Sequence, residues 1–170
     1  MIAGPLPPEG SLFSHLTVGT SDLERAAAFY DTVLNLIGLR RRAVTPDGGP
    51  RSACWVAPGQ LLPRFYVYEP FDGDVASAGN GGMVAFLAPS HEAGEQAYAA
   101  GLAAGGTDEG GPRLRSHYGD GYYGAYLRDL DGNKLHLVFR GDLPMQPGGT
   151  SFTQETVRTV VPPSVTTGRS

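Results

Sequence analysis

The sequence predicts an α+β fold in which two tandem βαβββ modules form one domain with a concave sheet trough. Three observations predict it. A strand, a helix and three strand-like stretches occur in that order and then recur in the same order. A fixed offset of 68 residues carries Tyr30 to Tyr98, Leu34 to Leu102 and Gly38 to Gly106, the same residues at the same helix positions. A glycine-rich stretch without apolar periodicity, 70–82, separates the two halves.

The chain divides into an N-terminal extension (1–11), a first module (12–69), a linker (70–82), a second module (83–140) and a tail (141–170). Leu12-Phe13-Ser14-His15-Leu16-Thr17-Val18-Gly19 alternates partially, as a half-buried strand does. Ser21-Asp22-Leu23-Glu24 has capping-box spacing, so Ser21 can accept from a backbone N–H while Glu24 reaches back. Ala26, Tyr30, Val33, Leu34 and Ile37 then form one apolar stripe, and Gly38 stops the helix. Strands are expected at about 39–45, 51–57 and 63–69, separated by Pro46-Asp47-Gly48-Gly49-Pro50 and by Pro58-Gly59.

In the second half, Met83 to Ala88 reads as a strand and Ser90 as an N-cap. Ala93, Ala97, Ala100 and Ala104 line one helical face that ends at Gly105-Gly106. Strands follow near 112–118, 121–128 and 134–140, the last two joined by the turn Asp129-Leu130-Asp131-Gly132-Asn133. The tail is rich in proline, serine and threonine, which predicts a segment either without order or laid along the body or a partner subunit.

Composition narrows the function. With 13 basic and 17 acidic side chains the net charge is −4, which gives no electrostatic footprint for nucleic acid. The single cysteine, Cys54, excludes an intrachain disulfide and a thiolate zinc cage, and reads as a small buried strand residue. No apolar run approaches the ~20 residues needed to span a bilayer. The N-terminus lacks the basic region of a signal peptide, so a soluble cytoplasmic protein without a membrane partner is expected. No glycine-rich stretch has the spacing of a nucleotide site.

The same offset places His15 against Met83 in the opening strands and Tyr68 against His136 in the closing strands. Should these four converge in the trough, two imidazoles from distant sequence meet there, and imidazole is a common metal ligand. Each histidine also has a plainer reading as a hydrogen-bonded strand residue. Phe65 and Trp55 read as core first and pocket wall second, and Met83 as a hydrophobic lining residue. Tyr122 and Tyr126 share a strand face, with Tyr123 on the other. His91, after an N-cap serine, reads as a solvated first-turn residue.

Three stretches carry a family resemblance. They are His15-Leu16-Thr17-Val18 with Ser21-Asp22-Leu23-Glu24-Arg25-Ala26-Ala27-Ala28-Phe29-Tyr30, then Arg113-Leu114-Arg115-Ser116-His117-Tyr118 with Gly121-Tyr122-Tyr123-Gly124-Ala125-Tyr126, then Arg128-Asp129-Leu130-Asp131-Gly132-Asn133-Lys134-Leu135-His136. In order and spacing the chain resembles the glyoxalase/bleomycin-resistance/dioxygenase family of the vicinal oxygen chelate superfamily, over residues 12–140. The resemblance implies a divalent metal (Zn, Fe, Ni or Mn) held by His or Gln on the opening strands and Glu on the closing ones, and a homodimer. His15 fits that pattern, whereas Met83 stands where a second histidine belongs and His136 where a glutamate belongs.

Two functions follow from the resemblance. One is a metal-dependent lyase, isomerase or dioxygenase on a small oxygenated substrate. His15 and His136 would then be ligands, His117 a third ligand or proton carrier, and Tyr123 or Tyr126 a hydroxyl contact. The other is a metal-free protein of the bleomycin-resistance type that sequesters an aromatic or hydrophobic ligand, with Phe65, Tyr68 and Met83 lining the trough. A third reading is a degenerate module whose role is assembly with another protein.

Overall fold

The computed structural model describes residues 13–46, 48–141 and 143, so the extension and nearly all of the tail lie outside the described residues. The first half runs β1 (His15–Gly19), α1 (Leu23–Leu34), a 3-10 turn (Asn35–Ile37), β2 (Arg40–Arg42), β3 (Ser52–Val56) and β4 (Arg64–Tyr68). The second half runs β5 (Val84–Leu87), α2 (His91–Ala103), β6 (Thr107–Leu114), β7 (Tyr122–Arg128) and β8 (Lys134–Arg140). Two four-stranded open sheets result, ordered β1-β4-β3-β2 and β5-β8-β7-β6. In each, the opening strand pairs in parallel with the closing strand and the others pair antiparallel. The predicted α+β architecture of two βαβββ modules is the one observed. Among the described residues no helix is long and apolar enough to cross a membrane.

One core joins the modules. Phe29, Tyr30, Val33 and Leu34 of α1 are buried with Trp55, Phe65 and Val67 of the first sheet and Phe86, Leu127, Leu135 and Leu137 of the second. Tyr30 lies at its centre, 5.6 Å from Trp55 and 5.0 Å from Phe65 between ring centroids, and Phe65 meets Phe86 edge-on across the modules. Burying rings of this size stabilises by roughly 2–3 kcal/mol each. Where the helices cross, α2 presents Gly101, and a Cβ there would lie 2.5 Å from Leu127 and 3.2 Å from Val33. Small residues on α2 therefore let α1 approach closely. Cys54 is buried in β3, and burial pushes its thiol pKa up, as an inert strand residue requires.

A polar latch reinforces this core. Asp129, at the β7–β8 turn, is 5% exposed and accepts four hydrogen bonds, from the Tyr30 hydroxyl (2.7 Å), Asp131 N (3.0 Å), Asn133 N (2.8 Å) and Asn133 Nδ2 (2.8 Å). Asn133 Nδ2 also donates to the Gly19 carbonyl, while Asp131 accepts from Thr20 Oγ1 and Ser21 N. The turn of the second module is thus bonded to the β1–α1 junction of the first. Burial, then the charge and hydrogen bond of Asp129, hold the Tyr30 phenol well above its ordinary pKa, so it stays a donor.

The structure corrects several local expectations. Asp22, not Ser21, caps α1, accepting from Arg25 N, and Ser21 Oγ instead accepts from Ala76 N in the linker. The caps Asp22 and Ser90 keep the offset of 68. The closing strands do not, because Phe65 and Val67 of β4 occupy the core-facing places of Leu135 and Leu137 of β8, an offset of 70. The counterpart of His136 is therefore Tyr66, and that of Tyr68 is Val138. Two extra residues between helix and closing strand cause the shift. Because two is even, the faces are preserved. Strand β6 begins five residues before the predicted stretch and is bent by register shifts around Gly110.

Candidate functional site

Each sheet buries one face in the core and turns the other away from it. On the first sheet the outward positions include His15 and Thr17 of β1 with Arg64, Tyr66 and Tyr68 of β4, as their register requires. His15 is exposed, lies edge-on to Tyr66 at 5.7 Å, and its Nδ1 is 3.1 Å from Ser14 Oγ. Tyr66 and Tyr68 pack at 5.5 Å.

On the second sheet the outward positions include His136 and Arg140 of β8 with Tyr122, Gly124 and Tyr126 of β7, and with Ala85 and Leu87 of β5. His136 is 1% exposed. Its ring stacks on Tyr126 at 4.2 Å and on Tyr122 at 5.8 Å. The glycine at 124 makes this possible, since a Cβ there would lie 2.5 Å from His136 Nε2. Arg115 covers the far side of Tyr126 at 4.3 Å, and its Nε and Nη2 donate to the carbonyls of Gly124 and Gly110.

Burial, with the nearby charges of Arg115 and Lys134, depresses the His136 pKa to about 4, so the imidazole is neutral at pH 7. The sign of the pH dependence follows. Unfolded, the ring titrates near 6.5. Between that value and 4 only the unfolded chain holds the proton, so stability is full above pH 6.5 and falls as pH drops toward 4. Relative to a His136→Gln variant, wild type is expected to lose about 2 kcal/mol between pH 7 and pH 4. Denaturation curves at both values check this, and a gap that stays constant would refute it.

The sequence-derived candidates fall into separate places. His15 and Tyr68 share the outward face of the first sheet, and His136 and Tyr126 that of the second. His117 is exposed in the β6–β7 turn, its ring 4.0 Å from Tyr118. Met83 is 48% exposed just before β5. Tyr123 lies on the opposite face from Tyr126, where its hydroxyl donates to Glu95 and its ring stacks on His91 at 4.1 Å. Tyr123 and Tyr126 therefore lie on opposite faces, as the strand alternation predicts, and of the two only Tyr126 shares the face of His136. Phe65 is 3% exposed within the core, which corrects its placement as a trough wall. Sequence reading passed over Arg115 and Tyr66. Arg115 stands two residues before His117, and nothing in the sequence marks it as buried.

The donor set does not fit a divalent ion. Among the described residues no three His, Cys, Asp or Glu side chains come together as ligands. His136 Nε2 is packed against Gly124 rather than aimed at open space. Tyr66 and Met83 occupy the remaining equivalent positions, and a thioether is a poor ligand for a hard cation. A recess of about 580 Å³ lies elsewhere, between Thr20, Pro50, Glu69, Phe71 and Val75.

Comparison with known proteins agrees with this fold. The family model described as Glyoxalase/Bleomycin resistance protein/Dioxygenase superfamily matches residues 12–137. A crystal structure of a glyoxalase/bleomycin resistance protein from Albidiferax ferrireducens T118 is 37% identical, covers 76% of this chain and 99% of its own, and superposes with a TM-score of 0.65. A glyoxalase-related enzyme from Fulvimarina pelagi is 20% identical, with 82% and 96% coverage and a TM-score of 0.60. Lactoylglutathione lyase from Agrobacterium tumefaciens is 19% identical, with 78% and 96% coverage and a TM-score of 0.52. The last two share the fold. No curated protein matches.

Proposed function

The chain belongs to the glyoxalase/bleomycin resistance protein/dioxygenase superfamily, and on that premise we propose that it is a metal-free small-molecule binding protein of the bleomycin-resistance type, holding an aromatic ligand on the outward face of its second sheet. The observation that supports this most directly is the Tyr122–His136–Tyr126 stack, whose imidazole is neutral and turned into Gly124. Rings in this arrangement offer a π surface and hydroxyl groups. The exposed Leu87 beside them adds apolar area.

We further propose a cytoplasmic homodimer. β1 and β5 are both edge strands, and each leaves one backbone edge unpaired among the described residues. The exposed position of His15 on such an edge favours a second reading, in which a metal-dependent lyase, isomerase or dioxygenase completes its site between two copies.

Metal analysis separates the two. Protein purified without chelator and then titrated with Zn, Fe, Ni or Mn is expected to take up far less than one equivalent, with no change in His15→Ala. Near-stoichiometric metal that disappears in His15→Ala would overturn the metal-free reading and establish the shared site.

A further inference from the structure

Resting on the binding reading above, we propose that the ligand of the second sheet is a planar organic anion, an aromatic carboxylate, whose charged group is held by Arg115 and whose ring packs against the Tyr122–His136–Tyr126 stack. Arg115 is 6% exposed, yet among the described residues no carboxylate pairs with it. Its charge is met by two carbonyl oxygens and the face of Tyr126, and those bonds use only Nε and Nη2. A buried cation is ordinarily retained with an anionic partner, because desolvation is otherwise uncompensated. Among the described residues no hydrogen bond uses Nη1, and it is not among the buried atoms lacking a partner, so it reaches solvent, where a bound carboxylate can meet it.

The surroundings favour the same ligand. Both acids on these strands are already engaged, Glu109 with Arg128 and Lys134 and Asp108 with the Tyr98 hydroxyl and Gly110 N. Arg140 lies over Tyr122 at 5.1 Å and Lys134 over Tyr126 at 5.0 Å, so cations flank the stack on both sides. Within the stack, His136 Nε2 is a buried polar atom without a partner, and it is turned into Gly124. A neutral site with the same rings would bind amides and carboxylates alike. The unpaired guanidinium makes it discriminate.

Calorimetric titration with benzoate and with benzamide, its uncharged counterpart of the same shape, tests this. Wild type is expected to bind benzoate at least tenfold more tightly than benzamide, with the preference falling as salt is raised. Arg115→Gln is expected to bring benzoate down to the benzamide level and leave benzamide unchanged, while Arg115→Lys keeps part of the preference. Equal binding of the two by wild type, or no binding of benzoate, overturns the inference without recourse to any variant. A loss of both ligands together in a folded Arg115→Gln protein also overturns it, by showing that Arg115 only braces the β6 bend. Stoichiometric metal uptake would sink the metal-free reading alone, so the two failures are distinguishable.

Discussion

Asp129→Asn is expected to destabilise the protein by about 3 kcal/mol, although it changes one oxygen to one NH2 group. The carboxylate of Asp129 accepts from four donors, two at each oxygen. An amide retains one accepting oxygen. Whichever way it is turned, its NH2 leaves at least one buried donor unsatisfied, because the Tyr30 hydroxyl can turn to accept but Asn133 Nδ2 and the two backbone N–H groups cannot. If Oδ1 is kept as the oxygen, the NH2 confronts the Tyr30 hydroxyl and Asn133 Nδ2. In the other orientation it confronts two backbone N–H groups. Tyr30→Phe removes one donor and leaves the acceptor its other three, so its cost is expected near 1 kcal/mol. Urea denaturation followed by the fluorescence of Trp55, the only tryptophan and fully buried, measures both. Equal losses in the two variants would show that the latch is not organised around the acceptor.

Gly106→Ala is the second large effect, about 3 kcal/mol. A Cβ at 106 would lie 2.8 Å from the Arg128 carbonyl, 2.9 Å from the Gly101 carbonyl and 3.1 Å from the Phe29 ring. Two of these neighbours are backbone, so the end of α2 and the end of β7 have to separate. Gly38 is its counterpart in the sequence repeat, but for Gly38 the limit is conformational. It has φ 95° and nothing within 4 Å of a Cβ, and Gly38→Ala is expected to cost about 1 kcal/mol. The same denaturation measurement compares them. A Gly38→Ala loss as large as that of Gly106→Ala would show that crowding at 106 is relieved cheaply.

This pair also shows how far the repeat could be read. Identity at 38 and 106 located the helix ends, but not that Gly105 takes the left-handed conformation in α2 while Gly106 is held by close approach. Helix periodicity, the caps near 22 and 90 and the turn at 129–133 were legible, because local propensity and tertiary structure agree there. The closing-strand offset was not. The two added residues fall where the halves have no identities to anchor an alignment, so Tyr68 stood in for Tyr66. Facing was legible where alternation is strict, as for Tyr122, Tyr123 and Tyr126. How one sheet sits relative to the other was hidden, because it depends on helices crossing at Gly101, a single small residue among many alanines. Arg115 was hidden for a related reason, since a buried guanidinium and a solvated one look the same in a sequence.

The latch also bears on how the chain is made. Tyr30 and its partner Asp129 are 99 residues apart. At ~5–20 residues per second of synthesis, the partner follows by roughly 5–20 s. For most of that interval, until Gly101 of α2 is made, Phe29 and Val33 belong to a nascent segment whose cover has not been translated. Aggregation competes with folding at this stage. A variant that weakens the latch prolongs it even after release from the ribosome, so soluble yield in cells should fall faster across the Asp129 and Gly106 variants than equilibrium stability alone would require.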